Sequence, residues 1–217
     1  MDTKEQLLQS GIIAIFRRLY GEELLNVCDA LYEGGIRAME VTFDQSDPDS
    51  VLHTTQAITA LCHRHSDITV GAGTVLTVEQ LIAARDAGAV YMVAPNVNAA
   101  LIAQAKAWGM AAMPGAMTPT EVVSAWEAGA DLVKLFPAGY LGTEYIRHLH
   151  APLGHIPLVA NAGITPENFA AFLEAGCVGA GISGVLTDRK CIAAGDYGTL
   201  TSRAAALVHI FEEHKHR

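Results

Sequence analysis

The sequence predicts an α/β protein, a single (β/α)8 TIM barrel spanning residues 1–217. Three observations predict it. Short β-branched or apolar runs alternate with longer amphipathic stretches along the chain, no linker or composition shift interrupts them, and polar and glycine-containing residues recur at the C-terminal ends of several runs. The alternation is the pattern of βαβ units and a parallel sheet. A doubly wound open sheet shares that pattern but usually binds its ligand at one glycine fingerprint. Residues capable of chemistry at many strand ends suit a closed barrel, in which all eight ends meet at one rim. Hydrophobic residues make up 51% of the 217 and charged residues 17%, which suits strands covered on both faces.

In order, the first strand is Ile12–Phe16, ending at Arg17 and Arg18, and a helix over 21–33 follows, its buried stripe Leu24, Leu25, Val27, Cys28 and Leu31. Gly34 and Gly35 close that helix. The second strand is 38–43, and its charged member Glu40 shares a face with Ala38 and Thr42. A polar loop at 44–50 leads to helical periodicity over 51–63. The third strand, 68–74, has a glycine-rich end, and Thr77 to Gln80 reads as a cap for the next helix. The fourth strand is 91–96, with a helix over 99–108 ended by Gly109; the fifth is 110–115, and Thr118-Pro119 opens its helix with proline in the first turn. The sixth is the run 129–138, the seventh Leu158–Asn161 with a helix beginning at 165–168, and the eighth 178–182, followed by a last helix over 199–213.

A net charge of −9 disfavours nucleic acid and anionic membrane surfaces as partners, and no apolar run reaches about 18 residues, so a membrane span is not expected. The first six residues lack the basic start and apolar core of a signal peptide, which reads as a cytoplasmic protein. Four cysteines without CxxC spacing read as buried free thiols, and the nine histidines form no HExxH, so neither a metal nor another cofactor is expected.

Lys134 stands in the middle of the sixth strand's apolar run. Alternation turns Val133 and Leu135 toward the helices and Leu132, Lys134 and Phe136 toward the barrel interior. In a dry interior the ammonium loses solvation and its pKa falls, and a neutral amine can attack a carbonyl to form a Schiff base. The alternative is a strand-end lysine that snorkels to solvent. Arg17, Glu40, Thr42, Thr74, Pro95, Gly115, Lys134 and Phe136 fall at or near the ends of strands one to six, where they can converge on one pocket. A lysine, a carboxylate and an arginine in an apolar cup divide into nucleophile, proton shuttle and anion clamp; a buried Glu40–Lys134 salt bridge and a surface Arg17 are the structural alternatives. The segments 162–165 and 181–184 lie where many barrels bind phosphate through backbone N–H groups.

The runs 34–42 (GGIRAMEVT), 70–76 (VGAGTVL), 113–121 (MPGAMTPTE) and 133–138 (VKLFPA) resemble, in matching order over nearly the whole chain, the class I pyruvate aldolases acting on 2-keto-3-deoxy-6-phosphogluconate and 4-hydroxy-2-oxoglutarate. That resemblance implies Lys134 as the Schiff-base lysine and Glu40 as the acid/base, Thr74 at the pyruvate moiety, Pro95 and Phe136 shaping the pocket, and Gly163 at a distal anion site. It also implies a homotrimer without a metal, releasing pyruvate and an aldehyde, glyceraldehyde 3-phosphate or glyoxylate. The chain departs from the family at Asp44, where many members carry arginine, so Arg17 is the expected source of the carboxylate clamp. It departs again at Asn161-Ala162-Gly163 and Ile182-Ser183-Gly184, where the usual runs are Thr-Gly-Gly and Gly-Gly-Ser. Asn161, Gly163, Ser183 and Gly184 thus join Arg17, Thr42, Thr74, Pro95, Gly115 and Phe136 as expected substrate contacts. The altered loops leave open an unphosphorylated or C4-epimeric substrate. A sugar-phosphate isomerase or epimerase on the same barrel, or a sugar-acid binding protein, remains as an alternative.

Overall fold

The computed structural model describes residues 1–216; Arg217, the last residue of the expected domain, lies outside the described residues. Nine parallel strands form one sheet: β1 Ile12–Phe16, β2 Ala38–Thr42, β3 Thr69–Gly73, β4 Tyr91–Val93, β5 Ala111–Met113, β6 Gly115–Ala116, β7 Val133–Leu135, β8 Leu158–Asn161 and β9 Cys177–Ile182, in the order β5-β4-β3-β2-β1-β9-β8-β7-β6. The two end strands, β5 and β6, are one stretch of chain separated by Pro114, so the sheet closes on itself as an eight-stranded barrel. The expected fifth strand is divided because proline has no N–H to donate to a ladder. The ladder is handed across the break: Asp131 N donates to the Ala112 carbonyl at 2.9 Å, and Lys134 N donates to the Pro114 carbonyl at 2.9 Å. Strand ends expected at Phe43, Thr74 and Asn96 retreat by one to three residues, because the ladders stop before the polar rim.

Outside the sheet lie α2 Gly21–Glu33, α3 Ser50–Arg64, α4 Val78–Asp86, α5 Ala99–Ala107, α6 Pro119–Glu127, α7 Ala138–Leu153, α8 Phe169–Glu174 and α10 Tyr197–Lys215. Their starts are fixed locally. Thr77 accepts from Gln80 N, and Thr118 and Glu121 form a capping box with Pro119 in the first turn. Gly35, with φ 94°, supplies the left-handed turn that ends α2. Alternation along the strands separates two apolar layers: Val133 and Leu135 pack with the helices, whereas Ile13, Ala38, Tyr91, Val93, Ala111, Met113, Leu132 and Val159 fill the barrel. All four cysteines are free; Cys28 and Cys177 are buried as expected, while Cys62 and Cys191 are only half-buried.

Two helices were not expected, α1 Thr3–Ser10 and the short α9 Arg189–Ala193. Each buries one side chain, so neither shows an apolar stripe. A capping box between Asp2 and Glu5 starts α1, and its one buried residue, Leu7, belongs to the barrel-interior cluster. With Thr69 Oγ1 donating to Gln6 Oε1 at 3.1 Å, α1 closes the barrel floor opposite the rim. Leu7→Ala is expected to lower unfolding free energy by about 2–5 kcal/mol, the cost of a cavity among apolar neighbours, while leaving turnover per folded molecule unchanged; urea unfolding combined with activity measurements checks both.

Candidate active site

Glu40 and Lys134 sit one or two residues inside the C-terminal ends of β2 and β7 and point into the barrel. Glu40 is 1% exposed and Lys134 is 4% exposed. Among the described residues neither makes an ion pair, and Glu40 Oε1 has no hydrogen-bond partner. The structural salt bridge between them is therefore not formed. Space for the carboxylate comes from Gly73, since a Cβ there would lie 1.8 Å from Glu40 Oε1. Gly71 likewise admits the Tyr91 ring, whose hydroxyl donates to the Met39 carbonyl at 2.8 Å. The glycines of 71–73 thus serve close packing around the carboxylate.

Electrostatics follow from burial. Desolvation raises the Glu40 pKa above its ordinary value, opposed by the charges of Lys134 and Arg17. Desolvation lowers the Lys134 pKa, opposed by Glu40 and reinforced by Arg17. Two groups displaced toward each other's range are what proton transfer near neutral pH requires. Lys134 Nζ stands 5.2 Å from the centroid of the Phe136 ring, which is partly open to the rim.

A cavity of about 320 Å³ opens next to Phe136, lined by Arg17 and Phe136, by Asn161 to Thr165 from the end of β8 onward, and by Gly181 to Val185 at the end of β9; neither Glu40 nor Lys134 is part of its lining. Six expected contacts meet here: Arg17, Phe136, Asn161, Gly163, Ser183 and Gly184. Asn161 is 2% exposed and its amide makes no hydrogen bond among the described residues; Gly181 makes room for it, as a Cβ there would lie 2.4 Å from Asn161 Oδ1. Ala162 holds φ 72° and Gly163 φ 78°, so a non-glycine residue takes the left-handed conformation. The turn is braced by Asn168, whose Nδ2 donates to the Gly163 carbonyl at 2.8 Å, and by Gly139 N, which donates to the Ala162 carbonyl at 2.9 Å. The Ser183 hydroxyl lies 3.4 Å from that of Thr187.

Four expected contacts lie outside this lining. Thr42 is buried and donates to the Phe16 carbonyl at 3.2 Å; Thr74 is half-buried at φ 56°, its carbonyl accepting from Gln45 Nε2 at 3.1 Å. Pro95 is at the surface, and a Cβ on Gly115 would lie 2.4 Å from its carbonyl oxygen, so Gly115 permits close approach of two strand ends. Sequence reasoning missed Ile15 and Val185 in the lining. Alternation from Arg17 identifies Ile15, whereas Val185 carries no sequence signal. Asp44 accepts from Arg18, not from a ligand-facing group, which leaves the Arg17 guanidinium without an intrachain partner among the described residues. One grouping of metal-ligand types exists among the described residues, Cys28, Asp29 and His65, on the helical layer. Asp29 is already paired with Arg64 and His65, and burial pushes the Cys28 thiol up to about 12.

Residues 3–202 match the aldolase family model described as KDPG and KHG aldolase. The chain is 37% identical over 177 residues to the 2-dehydro-3-deoxy-6-phosphogalactonate aldolase of Escherichia coli K12, covering 81% of this chain and 83% of that one. It is 38% identical over 153 residues to the 2-dehydro-3-deoxy-phosphogluconate aldolase of Treponema pallidum, 70% of each chain. A native KDPGal structure superposes with a TM-score of 0.83 at 34% identity, over 95% of this chain and 96% of that one. The chain belongs to the KDPG and KHG aldolase family and is a carbon–carbon lyase of the Schiff-base pyruvate class, which decides against the isomerase and binding-protein alternatives.

The opposite shifts of the two buried groups predict opposite pH signatures. For Lys134 the unfolded chain binds the extra proton between the lowered folded pKa and 10.5, so the stability advantage of Lys134→Met is largest at low pH and shrinks as pH rises through that window. For Glu40 the folded chain binds the extra proton above 4.5, so the advantage of Glu40→Gln grows as pH rises from there toward the raised folded pKa. Urea unfolding of the three proteins over a pH series checks both slopes.

Proposed function

We propose that this aldolase cleaves a 2-keto-3-deoxy-6-phospho sugar acid to pyruvate and glyceraldehyde 3-phosphate, with Lys134 as the imine-forming nucleophile and Glu40 as the proton shuttle. The observation that carries the reading is the almost fully buried Lys134, which feels the charges of the equally buried Glu40 and of Arg17 and stands 5.2 Å from the ring of Phe136, a residue that lines the cavity together with Arg17. The galacto epimer at C4 is the preferred substrate, supported by the 37% identical relative named for the phosphogalactonate compound. The gluco epimer and 4-hydroxy-2-oxoglutarate, which would yield glyoxylate, are the further candidates.

In this scheme the neutral Lys134 amine attacks the C2 ketone and water leaves, giving an iminium that withdraws electrons from the C3–C4 bond. That bond breaks as the C4 hydroxyl loses its proton, the aldehyde departs, and an enamine remains. Glu40, aided by water, moves protons between the C4 oxygen and C3, and hydrolysis of the pyruvate imine frees Lys134. Arg17 holds the carboxylate next to the reacting ketone, and Phe136 covers the imine. Thr42, Thr74, Pro95 and Gly115 shape the pyruvate end from the other strand ends. The unpartnered Asn161 amide meets the hydroxylated middle of the substrate, and Gly163, Ser183 and Gly184 hold the distal phosphate through N–H groups. The family resemblance supports a homotrimer. No helix among the described residues is long and apolar enough to cross a membrane.

Borohydride reduction with pyruvate tests the mechanism. A reduced adduct is expected on the Lys134 peptide, and Lys134→Ala is expected to abolish both trapping and turnover; an adduct on another peptide would sink the assignment. Glu40→Gln is expected to keep the trapped imine while slowing turnover and proton exchange at the pyruvate methyl group by about 10² to 10⁴-fold, read by NMR.

The distal loops set a second expectation. Ala162 occupies a left-handed position without glycine's freedom, and the Ser183 hydroxyl is directed to Thr187. The 6-phosphorylated substrate is therefore expected to be turned over with an advantage in kcat/KM below about 10³-fold, about 4 kcal/mol, over its unphosphorylated analogue; a larger ratio would show that the altered loops are harmless.

A further inference from the structure

We infer that Arg189 is a positioning residue for Arg17: through Asp188 and Arg203 it ties together the two walls of the cavity and sets where the Arg17 guanidinium stands. The inference rests on the reading of Arg17 as the carboxylate clamp. Arg17 follows β1 on one wall, and Ser183 to Val185 follow β9 on the other. Ladder pairing between those strands stops at Ala14 and Ile182, and the β1–β2 ladder stops at Phe16, so the carbonyls of Arg17 and Arg18 lie beyond the sheet. Arg189 Nη2 occupies both, donating to the Arg17 carbonyl at 2.8 Å and to that of Arg18.

Arg189 is itself held. Asp188 caps α9, accepting from Lys190 N at 2.9 Å, and its other oxygen accepts from Arg203 Nη1 at 3.0 Å. The same Arg203 nitrogen donates to the Val185 carbonyl at 3.1 Å, inside the opposite wall. Hydrogen bonds therefore run from Val185 through Arg203 to Asp188, the chain itself joins Asp188 to the adjacent Arg189, and the Arg189 side chain completes the link to the Arg17 carbonyl. Charge-assisted bonds of this kind fix direction as well as distance.

Across the turn, the second arginine is drawn away. Arg18 adopts φ 49° and pairs with Asp44, whose carboxylate also accepts from Ser46 Oγ at 2.8 Å. The Arg18 guanidinium holds the Asp44 carboxyl down to about 2, so this anchor is charged at neutral pH. One guanidinium is left for the ligand, on a turn fixed from both sides. Misplacement of a clamp by about 1 Å is enough to cost on the order of 10²-fold, so a brace remote from the reacting atoms affects binding.

Steady-state kinetics on the full-length enzyme, with borohydride inactivation as a function of pyruvate concentration, tests the inference. Arg189→Ala is expected to raise KM, and the pyruvate concentration giving half-maximal inactivation, by about tenfold with kcat changed by less than about twofold. Arg189→Lys, which can still donate to a carbonyl, is expected to recover most of that loss, and Arg189→Gln substitutes if the alanine variant folds poorly. The decisive arm is the cycle with Arg17→Ala. If Arg189 acts through Arg17, the double variant binds no worse than Arg17→Ala alone. Multiplying KM penalties, or a fall in kcat and stability at unchanged KM, overturn this inference and leave the Arg17 reading intact. An Arg17→Ala enzyme with unaltered KM overturns both.

Discussion

Desolvation of one amine organises this molecule. Lys134 can be held nearly out of water only because the sheet closes, and closure depends on the two-residue strand β6, which follows Pro114 and pairs with the lysine strand. The Pro114 carbonyl that accepts from Lys134 N also marks where the strand exchanges partners, so the barrel seam pairs directly with the strand that carries the buried lysine. Glu40 tempers the loss of solvation without pairing directly. A direct ion pair would favour the ammonium, the form that cannot attack a carbonyl, whereas a carboxylate beyond contact distance leaves the amine available. The glycine at 73 is the steric counterpart of that arrangement, because any side chain there would displace the carboxylate.

Floor and rim divide the remaining work. Below the pair, Leu7 and the interior cluster are apolar and tightly packed and exclude water from beneath. Above it, three polar groups make no hydrogen bond or ion pair among the described residues: Oε1 of the buried Glu40, the buried Asn161 amide and the exposed Arg17 guanidinium. Unsatisfied buried polar groups cost stability, and a fold keeps them where a ligand completes them.

The departures from the family pattern have structural explanations. Asp44 stands where many relatives carry arginine, and here it binds the neighbouring Arg18. That pairing leaves the Arg17 guanidinium at the end of the first strand without an ion pair among the described residues, as the proposed clamp requires. Ala162 holds a left-handed conformation, and Gly139 and Asn168 brace its own carbonyl and that of Gly163. The turn carries a strained residue, about 1–2 kcal/mol for a side chain in that region.

The barrel was legible in the sequence because period-two and helical patterns alternate without interruption, and so were the interior faces of Glu40 and Lys134, which follow from counting residues along a strand. The family was legible from four short runs in order, and the helix starts at Thr77 and Thr118 from local capping chemistry. What the sequence could not carry are relations between distant segments. The split at Pro114, the floor helix with one buried residue, the absence of contact between Glu40 and Lys134, and the bond from Arg189 to a carbonyl 172 residues away are properties of closure. Periodicity records which face a residue occupies, a local quantity, whereas the distance between two faces is set only when every strand has taken its place in the ring.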